Sequence, residues 1–155
     1  TCALPIFQKG GDVAFIKPVG RWQFALVDSG IRASTLAMIK QAKPFFSGAQ
    51  GQKNIAAFTT CSELVMEGLS TGQVDMVSKA MKTCASLLHD AGVIPASLAQ
   101  IIDFAYDCGV LAAKSTGSGG GGCILCLLPS DGGQDVISKL QKKYGQTNVY
   151  EVTIC

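Results

Sequence analysis

The sequence predicts an α+β fold in which helices pack on one face of a mostly antiparallel sheet. Three observations carry this reading. Trp22-Gln23-Phe24-Ala25-Leu26-Val27-Asp28 alternates large apolar residues with smaller or polar ones, the period-two signature of a half-buried strand. Four stretches with apolar residues at helical spacing follow it. Two strand-like runs, 111–115 and 123–128, then precede one short helix and a closing strand at 148–154. An order of strand, four helices, two strands, helix and strand layers helices against a sheet.

Taken in order, Gly10-Gly11-Asp12 marks a tight turn between a short entry segment and Val13-Ala14-Phe15-Ile16, and Pro18 with Gly20 marks a second. The chain turns again at Ser29-Gly30. Ser34 or Thr35 then caps a helix that carries Leu36, Met38 and Ile39 as far as Lys43 and stops at Pro44. Residues 47–52 read as a polar, glycine-bearing loop, after which Phe58, Cys61, Leu64, Val65 and Gly68 fall at helical spacing. Val77, Ala80, Met81, Cys84, Leu87 and Leu88 form one face of a third helix that closes at Gly92. Pro95 opens a fourth, with Leu98, Ile101, Ile102, Ala105 and Cys108 on a shared face before Gly109. Gly132-Gly133 leads into an amphipathic helix bearing Val136, Ile137, Leu140 and Tyr144.

Composition removes several function classes. A net charge of +2 with 15% charged residues, scattered rather than striped, gives no electrostatic case for nucleic acid. The longest apolar run, Cys123 to Leu128, is far short of the roughly 20 residues a spanning helix needs. A mean hydropathy of +0.32 with so few charges implies apolar surface that something else covers. Seven cysteines, an odd number in a chain large enough to own a core, point to reduced thiols and a cytoplasmic setting. Cys123 and Cys126 form a C-x-x-C, but on a strand they point to opposite faces, and no second pair or nearby histidine completes a zinc site. They read as core thiols. His89, the single histidine, lies near a helix C-terminus and reads as a helix-end residue rather than a general base.

The chemistry-bearing stretch is Lys114-Ser115-Thr116-Gly117-Ser118-Gly119-Gly120-Gly121-Gly122-Cys123. Glycine and serine together encode a flexible linker, but they also allow a turn whose successive N–H groups form a concave anion site. The strand-like runs on both sides favour the turn. Gly117, Gly119 and Gly122 satisfy G-x-G-x-x-G, yet a dinucleotide fold needs a helix directly after the glycines. A Walker A loop needs lysine after its glycines, and Lys114 precedes them.

With those residues in view, the chain resembles the C-terminal domain of the mevalonate kinases, within the GHMP kinase superfamily. The family's third motif, Gly-Ala-Lys-x-Thr-Gly-Ala-Gly-x-Gly-Gly-Cys, is matched by 112–123, with Ala112, Ser115 and Ser118 departing from it. Leu26-Val27-Asp28-Ser29-Gly30-Ile31-Arg32-Ala33-Ser34-Thr35 is similar to the strand and turn before the family's substrate-side threonine. Leu87 to Val93, leading to Ser97-Leu98, is similar to the helix pair before the glycine motif.

The resemblance implies a ferredoxin-like domain over 21–155, preceded at 1–20 by the end of an N-terminal domain or its linker. Thr1 in place of Met marks a fragment or processed product, and Ala3-Leu4-Pro5-Ile6 matches one reading frame of a sequencing adapter, so the first residues are candidates for foreign sequence. It further implies transfer of the ATP γ-phosphoryl group to the mevalonate hydroxyl. Lys114, Ser115, Thr116, Gly117, Ser118, Gly119, Gly120 and Gly121 would face nucleotide phosphates, and Ser34 and Thr35 would lie on the substrate side. Magnesium and the catalytic groups belong in this picture to an N-terminal kinase domain, because the Gly-Leu-Gly-Ser-Ser loop and Ser-x-x-Asp-Asn pattern of the family are absent here; Asp12 does not take the role of base. Phosphomevalonate and homoserine kinases are the neighbouring alternatives, a stand-alone small-molecule regulatory module is the non-enzyme one, and a homodimer is compatible with each.

Overall fold

A computed structural model describes residues 4–6, 11 and 14–155 of the chain. A two-stranded antiparallel hairpin pairs β1 (Leu4–Ile6) with β2 (Ala14–Ile16). The turn expected at Gly10-Gly11-Asp12 lies largely outside the described residues, as do Asp12 itself and Cys2.

The main sheet contains β3 (Trp22–Asp28), β4 (Ala112–Ser115), β5 (Cys123–Leu127) and β6 (Val149–Ile154), in the spatial order β4-β5-β3-β6 with every neighbouring pair antiparallel. Between β3 and β4 run α1 (Thr35–Ala42), α2 (Gly48–Thr71), α3 (Val74–Asp90) and α4 (Ala96–Cys108); α5 (Gly133–Tyr144) joins β5 to β6. Two strand-helix-strand units interleave so that β5 lies between the parallel pair β3 and β4. This is the ferredoxin-like α+β architecture that the sequence implies.

Register sorts the side chains by face. Ala25 and Val27 lie beside Cys126 and Ile124, and with Ala113 and Val149 they pack against Leu98, Ile101 and Ala105 of α4 and Val136, Ile137 and Leu140 of α5. Ala25, Val27, Leu98, Ala105, Ile124, Cys126 and Leu140 have no measurable exposure, so this layer is a filled core. The helical layer extends further than one face. Trp22, Phe24, Ala112 and Leu127, on the other face, meet Leu69 of α2 and Val77 and Met81 of α3. The apolar stripe of α3 covers this second face through Val77 and Met81, and Ser78 Oγ between them donates to Leu111 O at 2.8 Å just before β4.

One expected loop is a helix. Residues 48–52 begin α2 behind Ser47 at its N-cap; Gly48 turns the backbone with φ +66° and open space around it, and Gly51 serves packing. A Cβ on Gly51 would overlap the carbonyl of Phe46, which ends a 3-10 turn at Lys43–Phe46, and Asn54 Nδ2 donates to Phe45 O at 2.7 Å. The polar residues that suggested a loop lie on the solvent side of that first turn. α1 ends at Ala42, where the 3-10 turn containing Pro44 replaces its last expected residue. Gly72 and Gly109 close α2 and α4 in the left-handed conformation.

Candidate functional site

The turn from β4 to β5 is the seven-residue segment 116–122. At its base the Thr116 N–H donates to Cys123 O at 2.9 Å, and Thr116 Oγ1 donates to the same oxygen at 3.2 Å. At its far side the Gly120 N–H donates to Val93 O at 2.7 Å and the Gly122 N–H to Ile31 O at 2.9 Å, while the Ser29 N–H donates to Gly122 O at 3.0 Å. The turn is therefore clamped between residues 29–33 and residue 93, a structure a linker does not have. Gly117, Gly119, Gly120 and Gly122 all have positive φ, where a Cβ costs about 1–2 kcal/mol. Close approach adds to this at the centre. A Cβ on Gly120 would lie 2.5 Å from Met38 Sδ and 2.7 Å from Ala33 Cβ, and one on Gly121 would lie 2.5 Å from Ile31 O.

This clamping sorts the backbone donors. The N–H groups of Gly120 and Gly122 are occupied by protein carbonyls, whereas those of Gly117, Ser118, Gly119 and Gly121 have no acceptor among the described residues. Donors held in place without an acceptor are what an anion site needs, because they require no reorganisation when charge arrives.

Ser34 and Thr35 stand beside the turn. Ser34 caps α1, its hydroxyl accepting from the Ala37 N–H at 3.4 Å. Ser118 Oγ donates to Thr35 Oγ1 at 3.4 Å, so the glycine turn and the first residue of α1 meet through their hydroxyls. Gln41 Nε2 donates to Gly92 O, tying the other end of α1 to the same bend that supplies Val93 O.

Two of the residues expected at the phosphates lie away from the turn. Ser115 is only 2% exposed and belongs to the sheet face covered by α4, so its hydroxyl faces the core and not the turn. Strand alternation is the reason: Ser115 pairs with the fully buried Ile124. Its Oγ has no hydrogen-bond partner. Lys114 lies on the opposite face, paired with Leu125, where its Nζ donates to Ser115 O at 2.8 Å and it lines an apolar cavity between the sheet and α2–α3.

Other parts of the site are invisible in the motif. Val93 O and Ile31 O are backbone acceptors that any residue supplies. Asp28 and Arg32 did carry a signal, opposite charges four residues apart. Arg32 Nη1 and Nη2 each reach an Asp28 carboxylate oxygen at 2.8 Å, and the Gly30 N–H donates to Asp28 Oδ1 at 2.9 Å. The Arg32 guanidinium, then that N–H, holds the Asp28 pKa at about 2 instead of 3.8. The pair braces the bend whose Ile31 carbonyl anchors Gly122.

His89 ends α3 exposed to solvent, its Nδ1 3.7 Å from an Asp90 carboxylate oxygen. Cys126 is fully buried and burial, with Cys108 adding to it, pushes its thiol up to about 12, so it is a core residue. The six described cysteines are all free, and no three His, Cys, Asp or Glu residues among the described ones converge on a point. No helix among them is long and apolar enough to cross a membrane.

The fold and this turn define a ferredoxin-like domain with a clamped glycine turn, and the comparisons with known proteins give its family. Residues 65–146, more than half the chain, match the family model described as GHMP kinases C terminal. The chain belongs to the GHMP kinase family. A Leishmania major mevalonate kinase, solved in complex with R-mevalonate, is similar over 98% of this chain and 48% of its own, at 23% identity and a TM-score of 0.82. A Streptococcus pneumoniae phosphomevalonate kinase, solved with phosphomevalonate and AMPPNP, is similar over 92% and 43%, at 19% identity and 0.75. A homoserine kinase from Cytophaga hutchinsonii is similar over 92% and 43%, at 17% identity and 0.56. The chain thus spans about half the length of these structures. No curated protein sequence matches it.

Proposed function

We propose that this chain is the C-terminal half of a mevalonate kinase, that residues 21–155 are its GHMP domain, and that residues 1–20 belong to the end of the preceding half or its linker. The observation that carries the reading is the pre-clamped glycine turn, with four unengaged N–H groups, in hydroxyl contact with Thr35. A phosphoryl group in flight spreads negative charge over its oxygens, so donors already in place stabilise the transition state more than the ground state. The N–H groups of Gly117, Ser118, Gly119 and Gly121 would serve the ATP phosphates, the Thr116 and Ser118 hydroxyls would add donors, and Thr35 would orient the acceptor alcohol, with Ser34 holding the helix that carries it. The motif match and the similarity to the L. major enzyme favour mevalonate among the family's acceptors.

Among the described residues no three His, Cys, Asp or Glu side chains come together. In this reading the metal carboxylates, the lysine and the base come from the other half, and the chain alone does not turn over. Assaying phosphate transfer from ATP by the intact protein to mevalonate, phosphomevalonate and homoserine tests it. Mevalonate is expected to give the highest kcat/KM. Preference for either other acceptor, or mevalonate-dependent turnover by the isolated chain, contradicts the proposal. Nucleotide binding without transfer to any acceptor would favour the regulatory module.

A further inference from the structure

The cavity that Lys114 enters is separate from the glycine turn, and it occupies about 600 Å³ between the sheet and the α2–α3 hairpin. That is within the ~300–1,000 Å³ of ordinary small-molecule sites. Phe24 and Leu125 form its sheet wall and Val65 and Met81 its helical wall. The opposite face of the same sheet is filled to zero exposure at position after position, so the gap is a local feature and not a general looseness of this chain.

Lys114 is the only charged side chain on that lining among the described residues. Its ammonium carries three donors, of which Ser115 O takes one, and no carboxylate among the described residues pairs with it. An ammonium beside hydrocarbon with donors left over favours an anionic group over a neutral one, because charge-assisted hydrogen bonds are the stronger ones. Cys84, also on the lining, has its thiol pushed up by burial, and Lys114 alone among its charged neighbours opposes that shift. We infer that this cavity is a binding site for a single-chain anionic amphiphile, its apolar tail between Phe24, Leu125, Val65 and Met81 and its head group on Lys114.

The inference does not depend on the kinase reading, since every residue it uses is in this chain. Isothermal titration with decanoate, decyl phosphate and the neutral analogue decanol tests it. Decanoate or decyl phosphate is expected to bind about tenfold or more tightly than decanol, as a charge-assisted hydrogen bond contributes. Whichever head binds better distinguishes a carboxylate source from a phosphate one. Lys114→Met is expected to abolish the preference for charged heads while decanol binding persists. Ser62→Trp, at an exposed residue of the lining, is expected to weaken all three ligands about tenfold with helical circular dichroism unchanged. Equal affinity for decanol and the anions, or no binding of any of the three to the unmodified chain, overturns the proposal; neither result depends on a variant folding.

Discussion

The two sides of the candidate site are built on opposite plans. The glycine turn is anchored at both ends by backbone carbonyls, and Gly119 and Gly121 within it are buried. Helix α1, which faces it through Thr35, has no buried residue and leaves Leu36 and Ile39 about 60% exposed. One side is pre-organised by the chain itself, whereas the other holds its shape through a cap, one side-chain bond to Gly92 and little packing. In the proposed reading the fixed side would meet the phosphate charge, and the lightly packed side is the one with room to move. The exposed leucine and isoleucine also answer to the high mean hydropathy, which implied apolar surface in want of cover.

The strongest way to break this contrast is to put a side chain into the turn. Gly120→Ala combines positive-φ strain of about 1–2 kcal/mol with a clash against Met38 and Ala33 worth about 1–3 kcal/mol. Denaturant unfolding is expected to show a loss of about 2–5 kcal/mol, with the slope unchanged. Gly117→Ala is the control within the same turn, because its φ is +77° but nothing stands within 4 Å of the added carbon. It is expected to cost only about 1 kcal/mol. Equal losses at the two positions would show that close approach is not what holds the turn.

On the α1 side the expected effects are smaller. Ser34→Ala removes the cap and is expected to cost about 0.5–1 kcal/mol, the lower end of the usual range because the bond is long and exposed. Leu36→Ser should change the stability of the chain by no more than about 0.5 kcal/mol, as expected of an exposed side chain without packing partners to lose. If Leu36→Ser costs as much as Gly120→Ala, α1 is packed as tightly as the turn and the contrast fails.

Much of this arrangement was legible in the residues, for reasons that also show where legibility stops. Alternation in 22–28 and helical spacing in 77–88 report which side of an element is apolar, and the fold follows from pairing those faces. The two glycine-bearing stretches show the limit. Near 117–122 the flanking strands reveal a turn, whereas at 48–52 the same residue types start a helix, with Gly48 bending the backbone into it and Gly51 small to let Phe46 approach. Composition does not distinguish these two uses of glycine. Motif matching has a similar blind spot: it treats Lys114, Ser115 and Thr116 as one segment, but alternation along β4 sends Lys114 to the cavity and Ser115 to the core, leaving Thr116 at the turn. The anchors Ile31 O and Val93 O carry no sequence signal, since a carbonyl is common to every residue.

The smallest expected effect belongs to the brace beneath the turn. Asp28 has a folded-state pKa of about 2, against 3.8 without its partners, because Arg32 and the Gly30 N–H favour the carboxylate. A group whose pKa is lowered on folding stabilises the fold above the unfolded value, and the contribution disappears as pH falls through the folded one. The Asp28 contribution is therefore complete above about pH 5 and declines between about pH 4 and pH 2. Asp28→Asn removes it, so the melting temperatures of wild type and variant should differ most at neutral pH and converge at pH 2. Arg32 is 68% exposed, so solvent screens the pair and the difference should be small and shrink further in 1 M salt. A difference that is the same at pH 2 and pH 7 would mean that Asp28 acts through shape alone. If instead the difference follows the carboxylate, the bend that presents Ile31 O to Gly122 is held partly by charge, and that anchor of the glycine turn is weakened in acid.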